Sequence, residues 1–149
     1  ISSKDKGSSF VGSDFSYEDV SGRHWGEDTH EMVGEEELDG HAAYVVRSTP
    51  KEDEGFSHRI SWSDAERLLP LKEEWYGRKG ELERVFLAEK IEGIQGVQTI
   101  TVRSMETVKK NHRTTVRFNE VAYDVGIEDD LYTERHLKSP PRDLVGGGK

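Results

Sequence analysis

Apolar and polar positions alternate with a period of two through most of this chain, and a period of 3.6 is rare, which predicts antiparallel strands. Phe56, His58, Ile60 and Trp62 alternate with Ser57, Arg59, Ser61 and Ser63, a strand with one apolar face. Ala42, Tyr44 and Val46 alternate with Ala43, Val45 and Arg47. Burial on both faces over part of that run predicts a central strand. Leu71 to Tyr76 and Leu82 to Ile91 flank Gly77-Arg78-Lys79-Gly80, whose glycines permit the positive φ of a tight turn. Val97 to Val108 and Arg113 to Tyr123 are rich in Thr and Val and flank Asn111, a residue suited to the left-handed conformation. Strands are thus expected near residues 31–37, 41–48, 56–62, 70–76, 82–92, 97–108 and 113–124. Joined as sequential hairpins, they predict a mainly β chain, a curved antiparallel sheet forming an incomplete barrel.

Helical signals are few. Asp14 to Val20 reads as a short helix capped by Ser13 or Asp14, with Glu18 and Asp19 in its early turns. A turn at Ser63 to Arg67 ends ahead of Pro70, and Ile127 to Leu131 reads as one helical turn. Residues 1–137 are expected to form one domain. Residues 138–149, with paired prolines and three consecutive glycines, are expected to form a flexible tail.

Composition narrows the partners. The 149 residues are 32% apolar, with a mean hydropathy of -0.82, so the core is thin for one domain. With 21 basic against 30 acidic side chains the net charge is -9, which repels phosphate backbones and argues against nucleic acid. No run approaches the roughly 20 apolar residues of a membrane helix. The absence of cysteine excludes disulfides and thiolate metal sites while leaving the compartment open.

The run Gly12-Ser13-Asp14-Phe15-Ser16-Tyr17-Glu18-Asp19 resembles a motif of the outer-membrane lipoprotein-sorting protein family, whose members share the LolA/LolB carrier fold. The resemblance continues through Asp39 to Val46, Leu69 to Leu82, Asn111 to Ile127 and Asp129 to Leu137. In that family the motif follows a long N-terminal portion, so the resemblance implies that this chain is the C-terminal part of a LolA-like domain. It also implies a periplasmic carrier that holds lipid or lipoprotein acyl chains non-covalently, for sorting to the outer membrane, and an inner-membrane export partner that delivers the cargo. A sheet deprived of its leading strands and covering helices leaves an unpaired edge, and self-association as a homodimer is the expectation.

Candidate chemistry is weak. His24, Glu27, Asp28, His30 and Glu31 form the one His-carboxylate cluster, and its spacing matches no zinc signature. The acidic runs at Glu35 to Glu37, Glu52 to Glu54 and Glu128 to Asp130 are adjacent residues in loops, not carboxyls held about 5 to 9.5 Å apart across a cleft. No nucleophile elbow, metal-binding helix motif or phosphate-binding glycine loop is present. These readings point to no enzyme, no cofactor and no metal. A hydrolase built on the His24 to Glu31 cluster is the competing enzymatic reading, and an interaction scaffold with a filled core the competing non-enzymatic one.

Aromatic residues on the strands form the core of any β domain. The resemblance adds that the inward face lines a cavity, for which Ile60, Trp62, Leu71, Trp75, Phe86, Ile100, Val102, Val116 and Phe118 are the candidates. In the motif, Phe15 and Tyr17 are expected to anchor the segment on the sheet and Asp14 and Asp19 to cap a helix; a place on the cavity rim is the alternative. If the carrier reading is right, chelators and His24→Ala leave lipid binding unchanged, and loss of binding on chelation would favour the hydrolase.

Overall fold

The computed structural model describes residues 6–119. They form α1 (Tyr17–Ser21) followed by β1 (Asp28–Leu38), β2 (His41–Pro50), β3 (Phe56–Asp64), β4 (Pro70–Gly77), β5 (Leu82–Ile94), β6 (Val97–Thr107) and β7 (His112–Arg117). Sheet order follows chain order, every neighbouring pair is antiparallel, and the sheet is not closed. All seven strands lie where alternation places them. The last strand ends at Arg117, with Phe118 and Asn119 outside it; its expected continuation over 120–124, the helical turn at Ile127 and the tail at 138–149 lie outside the described residues.

The hairpins follow from turn chemistry. Asp39 and Gly40 have φ of 51° and 79°, and Gln95 and Gly96 have 51° and 80°, the paired positive values of two-residue turns whose twist matches that of the flanking strands. In the turn at Gly77 to Gly80 the Gly80 N–H donates to the Gly77 carbonyl at 2.9 Å, and the Gly77 N–H to the Glu81 carbonyl at 2.8 Å. Asn111 is left-handed as expected, at φ 47° and ψ 44°. The turn after β3 is organised by buried Asp64. Its carboxylate accepts the backbone N–H groups of Glu66 and Arg67 at 2.9 and 2.7 Å and the Arg67 guanidinium at 2.7 and 3.0 Å. The hydrogen bonds from Arg67 hold its pKa down to about 2.

The helix starts later than the sequence suggests. Its N-cap is Ser16, whose hydroxyl accepts the Asp19 N–H at 3.2 Å while the Asp19 carboxylate accepts the Ser16 N–H at 2.7 Å. This reciprocal capping box satisfies donors that a helix end would otherwise leave free. Residues ahead of it form a short turned hairpin: Ser9 bridges Ser16, the Phe10 N–H donates to the Phe15 carbonyl at 2.7 Å, and the Ser13 N–H to the Phe10 carbonyl at 3.0 Å. Asp14 caps nothing.

Strand register sets the two faces. One face carries the transverse rows Ser48, Arg59, Trp75, Arg84, Thr107, His112 and Val46, Ser61, Glu73, Phe86, Met105, Thr114. At Glu89 and Thr101 the β5–β6 ladder carries an extra residue on each strand in turn, which reverses the side on which the following residues project. Ile91 and Ile100 thereby join Phe86 and Met105. The core on this face consists of Phe15, Trp75, Phe86, Ile100 and Met105, with Phe56, Leu69, Ala88, Ile91 and Val116 packed against it.

Val11 is exposed, with a φ of 52°, beside Gly12 at 73°. A β-branched side chain is strained in that region, whereas Asn enters it readily. Val11→Asn is expected to raise stability by about 1 kcal/mol, measured by chemical denaturation. An unchanged or lower midpoint would show that this turn does not carry strain.

Candidate functional site

The segment from Lys6 to Arg23 lies across the sheet face just described and is fixed to it at three places. The first is Phe15, which is 6% exposed and inserts into the core cluster. Burying a phenyl ring of this kind contributes about 1.5–3 kcal/mol. Immediately before it, Asp14 turns its carboxylate onto the β6–β7 hairpin. It accepts hydrogen bonds from Thr107 Oγ1 at 2.6 Å, Thr114 Oγ1 at 2.7 Å and His112 Nδ1 at 2.6 Å. The Asp14 backbone N–H donates in turn to Thr114 Oγ1 at 3.1 Å. Burial works against the charge, but the bonds from Thr107, Thr114 and His112 outweigh it and hold the carboxyl below its usual range.

The second and third fixings are ionic. Asp19, already in the capping box, pairs with Arg84 at 2.6 Å. Arg23 donates through Nε and Nη2 to Asp28 Oδ1 at 3.0 and 2.8 Å and through Nη1 to Glu18 at 2.8 Å. Burial opposes the Arg23 charge, yet the hydrogen bond and field of Asp28, with Glu18, raise its pKa above the ordinary value. Its guanidinium lies 5.5 Å from the ring centre of Phe56.

Between segment and sheet the packing is incomplete. A half-open cavity of about 210 Å³ lies among Phe15, Trp75, Phe86, Ile100 and Met105, with Glu18, Asp19, Arg23, Arg59, Glu73 and Arg103 also in its wall. A larger cleft of about 820 Å³ opens towards solvent beside it, walled by Phe56, Trp75, Arg84, Glu54, His112 and residues 12–16. The two share Phe15, Glu18 and Trp75. Trp75 is the middle of this floor, with the guanidinium groups of Arg59 and Arg84 at 5.7 and 4.9 Å from its ring. The larger volume is in the range of small-molecule sites.

The structure divides the sequence candidates. Trp75, Phe86 and Ile100 line the cavity, Val116 packs against the same core, and Phe118 lies 5.2 Å beneath the Arg103 guanidinium. Ile60 and Trp62 project from the opposite face, paired with Arg47 and Val45, as does Val102, paired with Lys90. Trp62 there stacks on the Lys72 ammonium at 4.7 Å and donates Nε1–H to Glu36 at 2.8 Å. Leu71 sits at a register shift of β4 and lines a separate cavity of about 340 Å³ with Leu38 and Leu87. The apolar side of β3 therefore lies away from Phe15, and the side facing Phe15 carries Arg59 and Ser61.

Each motif residue has a place. Gly12 turns the short hairpin, Ser13 Oγ–H donates to the Phe10 carbonyl at 2.6 Å, and Tyr17 meets the Phe10 ring edge-on at 5.4 Å, so Tyr17 braces the segment itself and not the sheet. Residues Gly12 to Ser16 also rim the larger cleft. The His-carboxylate cluster is dispersed among other partners. His24 Nδ1 accepts the Gly26 N–H, Asp28 binds Arg23, and His30 reaches Ser48 Oγ and the Trp25 carbonyl. Sequence reasoning passed over Phe56 and Met105 and the arginines Arg59, Arg84 and Arg103. A polar residue alternating with apolar ones was the only signal those arginines gave.

Comparisons with known proteins place this geometry. The model of a family described as uncharacterized protein matches residues 1–139. No curated protein matches the chain. Among solved structures it is similar to a DUF1329 family protein from Desulfovibrio piger, with 29% identity, a TM-score of 0.82 and coverage of 92% of this chain and 58% of that one. An outer membrane lipoprotein-sorting protein domain from Vibrio parahaemolyticus shares 24% identity and a TM-score of 0.84, over 93% of this chain and 60% of that one. A LolA superfamily protein from Nitrosomonas europaea shares 18% identity and a TM-score of 0.65, over 89% and 61%. The last two likenesses concern the fold, which is LolA-like as the sequence motif implies. The chain spans about three fifths of the length of these structures.

A carboxyl whose pKa is lowered on folding contributes stability that is present above the unfolded value and lost as pH falls through the folded one. Docking of the segment is therefore expected to weaken as pH drops below about 4, and Asp14→Asn is expected to cost about 1–3 kcal/mol and remove that acid step. Hydrogen exchange at the Phe10 and Tyr17 amides, followed against pH, measures it. An acid step of the same size in the Asn variant would assign the pH dependence to another group.

Proposed function

The chain belongs to that family of uncharacterized proteins, and we propose that it is a periplasmic carrier domain binding lipid or lipoprotein acyl chains for sorting to the outer membrane. The observation that carries the proposal is the unfilled space between Phe15 and the apolar floor of Trp75, Phe86, Ile100 and Met105, rimmed by charged side chains. An alkyl chain entering there loses its contact with water at about 25 cal/mol per Å² and needs no covalent partner. The roof is a short segment held largely by polar contacts at Asp14, Asp19 and Arg23, which water can replace when it lifts. The larger cleft lies beside the cavity, with Phe15 and Trp75 bordering both, and in this reading cargo enters from it. In this reading the domain receives its cargo from an inner-membrane export partner and performs no bond chemistry. The fold of the lipoprotein-sorting domain and of the LolA superfamily protein supports the proposal. No helix among the described residues is long and apolar enough to cross a membrane.

Binding of an apolar fluorescent probe tests it. Phe15→Ala and Trp75→Ala are each expected to weaken binding by about tenfold, whereas Trp62→Ala, on the opposite face, leaves it unchanged. Thermal melts of the three variants separate loss of the site from loss of the fold. Failure of the unaltered chain to bind the probe, or an equal loss with Trp62→Ala, would favour a scaffold with a filled interior.

A further inference from the structure

The cavity face holds four arginines, and three of them are matched by carboxylates. Arg23 binds Glu18 and Asp28, Arg59 has Glu73 at 3.6 Å and Asp28 at 3.9 Å, and Arg84 has Asp19 at 2.6 Å. Arg103 has no carboxylate within ion-pair distance among the described residues. One Nη donates to the Ile100 carbonyl at 3.3 Å, the ring of Phe118 lies beneath the guanidinium, and the Nε is buried with no hydrogen-bond partner. The Nε of Arg59, in the wall of the same cavity, is also buried and without a partner.

Stacking on Phe118 is a structural use of an arginine, and it offsets part of the desolvation. It leaves the in-plane Nε–H unused, while one Nη is spent on the Ile100 carbonyl, and the edge of the fork that carries Nε matches an oxyanion. Burial pushes the Arg103 pKa below its ordinary value with no anion opposing it. The acidic groups facing the cavity do not fill this role. Glu18 and Asp19 are engaged by Arg23 and Arg84, and Glu73 accepts from Ser61 at 3.1 Å, its carboxyl pushed up by burial.

We propose that the cavity takes an acyl chain ending in a compact oxyanion, a carboxylate or a phosphate monoester, with Arg103 as its counter-ion and Arg59 as a second donor. This rests on the carrier reading and names the class of its ligand: the chain lies on Phe86, Ile100 and Met105, and the anion completes the arginine face.

The test is displacement of an apolar fluorescent probe from the full chain by oleate, oleoyl lysophosphatidate and oleyl alcohol, in mildly alkaline buffer. At least one anionic ligand is expected to compete about tenfold better than the alcohol, since a hydrogen bond to a charged group is worth that much. Arg103→Gln is expected to reduce this advantage to about twofold or less, and a thermal melt matching that of the unaltered chain shows that the variant is folded. Arg103→Lys keeps part of the preference, and Arg117→Gln, on the opposite face of β7, keeps all of it. Preference for oleate identifies a carboxylate, and preference for lysophosphatidate a phosphate. Equal competition by alcohol and anions, or a preference that survives Arg103→Gln, overturns the inference while the carrier reading stands. If none of the three displaces the probe, both are overturned.

Discussion

Asp14 is a carboxylate buried against β6 and β7, and the arrangement of the cavity face depends on its being paired there. A buried charge without partners costs several kcal/mol, enough to expel the segment from the sheet. Its partners Thr107, His112 and Thr114 lie 93, 98 and 100 residues away in sequence. They come into line only when the β6–β7 hairpin has formed in register, since Thr107 and His112 are opposed residues of that ladder. Phe15 follows Asp14 directly, so satisfying the carboxylate delivers the ring to Trp75 and Phe86. A polar requirement thus positions an apolar one. The coupling also joins the first described segment to the last described strand, which makes late docking of the segment the natural order of assembly.

A sheet with apolar residues on both faces raises a different problem, because alternation identifies faces without saying which one a neighbour covers. β3 shows the ambiguity most clearly. Ile60 and Trp62 form the more apolar side, yet Arg59 and Ser61 face Phe15, and Arg59 is tolerated there because Glu73, Asp28 and the Trp75 ring surround its guanidinium. The bulges at Glu89 and Thr101 then exchange the faces of β5 and β6 partway along. Without them Ile91 and Ile100 would project to the same side as Val102, and the far end of the cavity would lose its apolar wall.

These two features explain what the sequence could and could not disclose. Strand positions were legible because each depends on residues within a few places of one another, and the turns at Gly77 to Gly80 and Asn111 carry their own conformational signatures. The helix start was legible in principle through Ser16 and Asp19, spaced for reciprocal capping, but the earlier Ser13 and Asp14 offered an equally acceptable cap. The role of Asp14 had no local signature, since its partners sit on the last hairpin. Facing was the largest loss. Ile60, Trp62 and Val102 joined the candidate lining on the strength of apolar character, while covering segment and bulges are set by long-range packing and backbone irregularity.

The distribution of charge on the cavity face also constrains how it opens. Asp19 with Arg84 and Arg23 with Glu18 and Asp28 tie the roof to the sheet at positions that flank the apolar floor. When the roof lifts, water takes over the contacts of Asp19 and Arg84 at small cost, whereas separating the buried Arg23–Asp28 pair costs more. The floor behaves differently, because exposing Trp75, Phe86 and Met105 to water is opposed by the hydrophobic term in full. In the carrier reading, a ligand lying between Phe15 and the floor would remove much of that penalty by keeping both out of water, without any change in the sheet.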